Sequence, residues 1–212
     1  MGSIEFAIFF QFFIGLFAAV NPLGIMPIFV SLTAHQSPLE RNKTAYIAAF
    51  AFSIILIVSL LAGQILLDIF SISLNSFRVA GGLLLVSIAF TMMSGKLGEE
   101  KQNKEEQSES ASREQIGVVP LAMPLLAGPG AISSTIVYAG RYPDTITTVG
   151  LILTLLAFTL GLWILLRIAP TIVRYLGQTG INVVTRIMGL ILAALGIEFI
   201  ANGARALFPG LG

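Results

Sequence analysis

The chain has 212 residues, of which 56% are hydrophobic and only 11% are charged, whereas about 25% of an average soluble domain is charged. With a mean hydropathy of +0.91, a soluble fold of this size would lack the polar surface to cover its interior. The absence of cysteine excludes disulfides and thiolate sites, a single histidine excludes an all-histidine zinc site, and a net charge of +1 is too balanced for a nucleic-acid binder. The composition therefore predicts an integral membrane protein.

Six apolar runs predict an all-α membrane protein with six transmembrane helices, because about 20 apolar residues cross the ~30 Å of hydrocarbon in a bilayer. The runs are 6–32, 45–70, 77–93, 118–139, 147–168 and 187–208. No Lys or Arg precedes the first run and no small-residue cleavage site follows it. We therefore expect the first run to be retained as a span rather than removed as a signal peptide.

The segment 94–115 is the one long hydrophilic stretch, with lysines, glutamates and an arginine among Gln and Ser. Charge of mixed sign without apolar residues cannot build a core, so we interpret it as a solvated linker rather than a regulatory element. It divides the chain into a first unit, 1–93, and a second unit, 116–212, with three predicted spans each.

The distribution of basic residues predicts the orientation. If the spans alternate, nine of the twelve Lys and Arg residues fall on the side of the linker, and only Arg78, Arg141 and Arg205 fall on the other side. This distribution places the charged central loop in the cytoplasm and both termini outside.

The two units carry related landmarks. A shift of 107 residues places Asn21-Pro22-Leu23-Gly24-Ile25 over Gly128-Pro129-Gly130-Ala131-Ile132, and a shift of 108 places Arg78-x-x-Gly81 over Arg186-x-x-Gly189. Because each unit has an odd number of spans, a duplicated unit enters the membrane with opposite orientation. We therefore predict two inverted three-helix repeats, an arrangement found in secondary transporters.

Proline and glycine cluster near the middle of the first and fourth predicted spans. The first cluster includes Pro22 and Gly24, and the second includes Gly128, Pro129 and Gly130. Proline inside a helix costs about 3 kcal/mol and lipid offers no water to the freed carbonyls. Two such clusters predict discontinuous helices whose unwound backbone lines a cavity.

An unwound segment offers N–H groups from the helix that restarts and carbonyls from the helix that stopped, a pair that suits a zwitterion. The predicted substrate-binding residues are Asn21, Pro22, Gly24, Gly128, Pro129, Gly130, Ser133 and Ser134. Asn21 before a proline is equally a helix cap, and Ser133 and Ser134 can instead bond to their own helix carbonyls.

Glu198 is the one carboxylate that the predicted spans place deep in hydrocarbon, which makes it a candidate for ion coupling as a proton carrier. The alternative is that the last span starts later than predicted, which would bring Glu198 near the outer surface beside Arg205.

The motifs Asn21-Pro22-Leu23-Gly24, the run 120–130 and Arg186-Ile187-Met188-Gly189-Leu190 with Gly203 resemble those of the MarC family. This family of bacterial inner-membrane proteins is also called the small neutral amino acid transporter family and is grouped with the lysine-exporter superfamily. The resemblance covers essentially the whole chain. It implies a multi-pass protein of the bacterial inner membrane, and one archaeal branch of the family is associated with uptake of alanine and glycine.

These observations predict a secondary carrier for a small neutral amino acid or a similar small zwitterion, coupled to protons or sodium and embedded in a lipid bilayer. No nucleotide-binding motif, metal site or cofactor is predicted, and no cluster of His, Cys or carboxylates indicates an enzyme. The alternatives are an exporter of another small metabolite and a membrane component that assembles with other proteins without transporting. The sequence does not predict the oligomeric state.

Overall fold

The computed structural model describes residues 2–94 and 126–208, and the regular structure in these two ranges is α-helical. The helices are α1 (Gly2–Val20), α2 (Pro22–Leu32), α3 (Pro38–Ile69), α4 (Leu74–Ser94), α5 (Pro129–Arg141) and α6 (Thr145–Leu207). The predicted all-α class is therefore confirmed. The linker predicted at 94–115, apart from Ser94, and the first part of the fourth predicted span lie outside the described residues.

Two helix starts follow from local capping sequences outside the apolar runs. At the start of α3, the Ser37 hydroxyl accepts a hydrogen bond from the Glu40 N–H at 3.3 Å, and the Glu40 carboxylate accepts one from the Ser37 N–H at 2.8 Å. At the start of α6, Asp144 accepts a hydrogen bond from the Thr147 N–H at 2.8 Å. The bonds from Ser37 and Thr147 lower the pKa values of Glu40 and Asp144 respectively. Both caps therefore act fully above the ordinary carboxyl pKa and weaken as the pH falls below it.

Several helices are long and apolar enough to cross a bilayer. α3, α4 and α6 each meet this condition alone, and α1 and α2 meet it together as a pair bent by 43°. α5 has 13 residues and is therefore about 20 Å long, shorter than the hydrocarbon thickness. The structure thus supports a membrane protein, while six spans and inverted repeats stay predictions.

The 63 residues of α6 would extend about 95 Å if they were straight, three times the hydrocarbon thickness. The helix is interrupted at Gly177, whose φ of 60° and ψ of 177° strongly favour glycine. We call the parts before and after this residue α6a (145–176) and α6b (178–207). They contain the fifth and sixth predicted spans, and the helix also includes residues 169–176 and 178–186, which the sequence prediction left between these spans. Pro170 does not end α6a, because a proline removes only one hydrogen bond from the ladder.

The apolar side chains form two clusters. The first is built from α1, α2, α3, the start of α5 and α6a, and at its centre Phe158 packs its ring 5.4 Å from Phe13 and 5.8 Å from Phe52. The second joins the last turn of α1, at Ala18 and Ala19, to α4, α5 and α6b. Because α1 contributes to both clusters, it connects the two parts of the core.

Three glycines of α6b recur at every seventh residue and lie against α4, at positions 189, 196 and 203. A Cβ atom on Gly196 would lie 2.8 Å from the carbonyl oxygen of Gly82, and one on Gly82 would lie 2.6 Å from that of Gly196. Gly189 lies against Ala89, and Gly203 lies against Asn75. Along the contact, residue numbers decrease in α4 as they increase in α6b, so the two helices are antiparallel. Small residues bring their backbones into direct contact, as is common between membrane helices.

We expect Gly196→Ala to lower the free energy of unfolding by about 1 to 3 kcal/mol, because the new methyl group meets the backbone of α4 rather than a movable side chain. The matched control is Gly161→Ala in the same helix, where a Cβ atom meets nothing within 4 Å. This control should instead stabilise the helix by about 0.5 to 1 kcal/mol. Thermal unfolding in detergent measures both variants, and equal shifts in the two midpoints would contradict the close contact.

Candidate functional site

The first helix break lies at Asn21, between α1 and α2. Asn21 is buried and has a left-handed backbone conformation, with φ 48° and ψ 65°, which asparagine tolerates better than most residues. Pro22 follows at the first position of α2 and has no N–H, so the carbonyl of Ala18 loses its usual helical donor. Leu23 is the next residue, and its N–H has no acceptor within α2. The break therefore exposes both kinds of backbone group that a zwitterion requires.

The Asn21 side chain contacts both the helix that follows it and a helix distant in sequence. Its Oδ1 atom accepts a hydrogen bond from the Gly24 N–H at 3.3 Å, so Asn21 caps α2 as the sequence suggested. Its Nδ2 atom lies 3.5 Å from the Oγ1 atom of Thr185 in α6b, at the outer limit of a hydrogen bond. The cap on α2 and the contact with Thr185 therefore use different atoms of the same amide.

Gly24 provides the space for this amide. A Cβ atom at position 24 would overlap the Asn21 side chain and would lie 3.0 Å from the Thr185 hydroxyl. The glycine thus allows α2 to approach α6b closely. Asn21, Gly24 and Thr185 form one small polar cluster, which we call the break cluster.

The second predicted break lies at Gly128, which precedes α5, and the chain immediately before residue 126 lies outside the described residues. Pro129 is the first residue of α5, as Pro22 is of α2, and Gly130 supplies an N–H that has no acceptor within the helix. The Gly128 carbonyl accepts from the Ile132 N–H at 3.2 Å, just as the Asn21 carbonyl accepts from the Ile25 N–H at 3.3 Å. α2 and α5 therefore share a proline start and a first backbone hydrogen bond. They differ in that Asn21 is left-handed and caps its helix, whereas Gly128 is extended, with φ −65° and ψ 166°, and has no side-chain cap.

The two breaks border the same part of the core. Val20 and Ile25, on either side of Asn21, belong to the first hydrophobic cluster together with Leu126, Ala127 and Ala131, which flank Gly128. The last turn of α1 also packs in the second cluster with Leu85, and a Cβ atom on Gly130 would lie 3.1 Å from the Leu85 side chain. The structure therefore connects the two predicted breaks through shared neighbours.

Ser133 and Ser134 are both buried one turn into α5. Ser133 faces α4, since a Cβ atom on Gly81 would lie 3.1 Å from that of Ser133. In the part of the chain that the structure describes, neither serine hydroxyl bonds to the carbonyl four residues back, whereas the neighbouring Thr135 hydroxyl donates to the Ala131 carbonyl at 2.8 Å. The serine hydroxyls are therefore available to a ligand.

Glu198 is not brought to either break. It lies on α6b, 13 residues from Thr185, which corresponds to about 20 Å along the helix. Its side chain is exposed at the surface of the chain, and its Oε1 atom accepts a hydrogen bond from Asn202 at 2.6 Å. Within residues 2–94 and 126–208, no three His, Asp or Glu side chains come together as a metal site would require.

Comparison with known proteins shows the family of the chain. The model of the family described as MarC family integral membrane protein matches residues 6–208. The chain belongs to the MarC family. The break cluster and the second break both lie inside the matched residues.

Relatives of this MarC-family protein match it over nearly their full length. The UPF0056 membrane protein YhcE of Escherichia coli strain K12 is 58% identical over 207 residues, which cover 98% of this chain and 96% of the relative. A UPF0056 membrane protein of Pyrococcus abyssi is 36% identical, with 92% and 94% covered. The UPF0056 inner membrane protein MarC of Salmonella typhimurium is 35% identical, with 86% and 87% covered. No solved structure matches the chain.

Sequence analysis did not identify Thr185 as a site residue of this MarC-family protein. Thr185 lies two residues before the last predicted span and 164 residues from Asn21. The available signal was its place on the buried stripe of α6b, which continues with Gly189, Leu192 and Gly196 at helical spacing. A polar residue on such a stripe faces the protein interior.

The left-handed conformation of Asn21 gives a test of the first break. Asn21→Ala should lower the free energy of unfolding by about 2 kcal/mol, because it removes the cap and puts alanine at a positive φ. Asn21→Gly removes the same side chain but tolerates the conformation, so it should cost at least about 1 kcal/mol less. Thermal unfolding of both variants in one detergent makes the comparison. If alanine were tolerated as well as glycine, the described conformation of Asn21 would be wrong.

Proposed function

We propose that this MarC-family protein is a secondary carrier for small neutral amino acids or similar small zwitterions. The proposal is carried by the observed break at Asn21 together with the predicted break at Gly128. α2 and α5 both begin with a proline, and each places a free N–H next to buried small or polar residues. The cost of two such interruptions favours a protein that uses the exposed backbone over one that serves only as a scaffold. No catalytic step is part of the proposal.

The proposed chemistry uses backbone groups on both sides of each break. The substrate carboxylate accepts hydrogen bonds from the N–H groups of Leu23 or Gly130, at the positive end of a half-helix. The ammonium group donates to carbonyls such as that of Ala18, which Pro22 leaves without its helical partner. Thr185 and Asn21 supply further hydrogen bonds from side chains that hold each other only at 3.5 Å. Small substrates are favoured because the flanking core is closely packed and apolar.

The proposed architecture is two inverted three-helix repeats with broken first and fourth helices. Three features support it. At a shift of 107 residues, α2 and α5 both start with a proline and both have a backbone hydrogen bond to the carbonyl of the residue before it. Helices cross between the units, since Asn21 of the first unit meets Thr185 of the second and Ser133 of the second meets Gly81 of the first. The third helices of the two units, α4 and α6b, are antiparallel.

The proposed location is the bacterial inner membrane, which agrees with the name of the Salmonella relative as an inner membrane protein. The nine basic residues on the side of the 94–115 linker favour a cytoplasmic linker and both termini in the periplasm.

The proposed coupling ion is a proton or sodium. Glu198 is the candidate proton carrier, and about 20 Å of helix separates it from the break cluster. It would therefore couple through movement of α6b rather than through contact with the substrate.

The carrier proposal is tested by uptake and efflux of labelled alanine, glycine and serine in liposomes that contain the purified protein. Proton and sodium gradients are imposed separately, and liposomes without protein give the background. We expect at least one of these amino acids to accumulate with one gradient. Failure of all three to move in either direction under either gradient would contradict the proposed function.

The position of the site is tested by Thr185→Val, which removes a hydroxyl and keeps the shape of the side chain. The loss of a neutral hydrogen bond to substrate should raise the half-saturating concentration about two- to tenfold. The matched control is Thr135→Val, a buried threonine whose hydroxyl bonds to its own helix, and this variant should stay within about twofold of the unaltered protein. Equal effects of the two substitutions would argue against the break cluster as the binding site.

The orientation is tested with reporters that are active only in the cytoplasm. A reporter inserted in the 94–115 linker should be active, and one fused after Gly212 should be inactive. Activity at the second position would contradict both the orientation and an even number of spans.

A further inference from the structure

A second polar cluster lies near the start of α4, where this helix meets α5 and α6b. Arg78 is half-buried there, and its Nε atom is fully covered without a hydrogen-bond partner. Its guanidinium carbon lies 5.8 Å from the centre of the Phe199 ring. In the described part of the chain, Arg78 makes neither a hydrogen bond nor an ion pair. A partly desolvated cation without a counter-ion is costly, which indicates that an anion completes this place.

The groups around Arg78 favour an anionic ligand. The ring of Tyr138 packs 6.4 Å from that of Phe199, and the Tyr138 hydroxyl has no hydrogen-bond partner among the described residues. Arg141 adds a second positive charge that acts on Arg78. Glu198 is the opposing charge, but its carboxylate bonds to Asn202 and forms no ion pair with Arg78. Arg78 and the Tyr138 hydroxyl therefore both have hydrogen-bond donors without an acceptor among the described residues.

The geometry of α4 and α5 connects this cluster to the second break. Gly140 lies against Leu74, Ser133 against Gly81 and Gly130 against Leu85, so the two helices are antiparallel. Arg78 is one turn from Gly81 and two turns from Leu85, which places it about 10 Å along the axis from the level of Gly130. Ser133 lies opposite Gly81 and therefore between the level of Arg78 and that of Gly130.

We propose that Arg78 and the Tyr138 hydroxyl form a carboxylate-binding site that receives the substrate before its carboxylate reaches the break at Gly128 and Pro129. The planar guanidinium matches a carboxylate through two parallel hydrogen bonds, and the ring of Phe199 supports the guanidinium by a cation–π contact. This inference rests on the proposed function for the identity of its ligand.

Binding is measured without transport, as the rise in the unfolding midpoint of the purified protein with increasing alanine, propionate or alaninamide. Alanine and propionate carry a carboxylate, whereas alaninamide does not. We expect the first two to stabilise the protein and alaninamide to have little effect. Arg78→Gln should weaken alanine binding about ten- to a hundredfold, the range of a charge-assisted pair. Arg78→Lys keeps the charge but loses the planar fork, so it should fall between Arg78→Gln and the unaltered protein.

Arg205→Gln is the matched control, since Arg205 is an exposed arginine at the same end of the bundle, near the contact of Gly203 with Asn75. It should bind alanine as the unaltered protein does. Size-exclusion profiles and unfolding midpoints without ligand establish whether each variant is folded. If Arg78→Gln is not folded, the comparison uses Arg78→Lys instead.

The outcomes separate this site from the carrier function. Carboxylate binding that depends on Arg78, in a protein that transports none of the amino acids, would support the site and contradict the carrier. Transport that needs Thr185 but tolerates Arg78→Gln and Arg78→Lys would overturn the site and leave the carrier. Equal binding of alanine and alaninamide, or no carboxylate-dependent stabilisation of the unaltered protein, would also overturn it. So would a loss of bound phosphatidylglycerol in Arg78→Gln with unchanged alanine binding, because the anion would then be a lipid phosphate.

Discussion

Backbone polar groups in hydrocarbon must find partners inside the protein, and the arrangement of this chain follows from that constraint. α1 ends just before Asn21, whose backbone is left-handed, and Pro22 has no N–H to donate to the carbonyl of Ala18. The Asn21 amide accepts a hydrogen bond from the Gly24 N–H and so caps α2. The carbonyl of Ala18 is left over. Burying such a group is tolerable only where it faces a polar or ligand-lined space. The apolar side chains around the break come mainly from α3 and α6. The phenylalanines around Phe158 belong to the same cluster as Val20 and Ile25, which flank the break.

The two breaks differ in one respect that bears on their roles. The first has a side-chain cap and a contact with Thr185, so its conformation is held by tertiary structure. The second begins at Gly128 without any side-chain cap. Its first turn is therefore supported mainly by packing against α4, through Gly130 and Ser133. Positions 21 and 128, which the predicted repeats align, therefore differ in how they are stabilised, and each is followed by a proline at the first helical position.

Much of the fold could be predicted from the sequence, because the strongest signals were local. Apolar length indicated the helices, and proline and glycine at 21–24 and 128–130 located the break at Asn21 and the start of α5 to within a residue. The partners of those breaks could not be predicted in the same way. Thr185 and Phe199 reach Asn21 and Arg78 only through the crossing of distant helices, and periodicity does not encode which helix a stripe faces. The continuation of α6a past Pro170 was also hidden, since a proline signals a possible helix end and not a certain one.

Trp163 is the single tryptophan of the chain. It lies in α6a, packs against the first hydrophobic cluster and has Arg167 5.8 Å from its ring centre, while its indole N–H is covered and unpaired. Indole emission from this protein therefore originates from one environment, beside the helices that enclose the first break. The second cluster, with Tyr138 and Phe199, has no tryptophan of its own. Fluorescence spectroscopy can consequently follow one part of the core separately, without any label being attached.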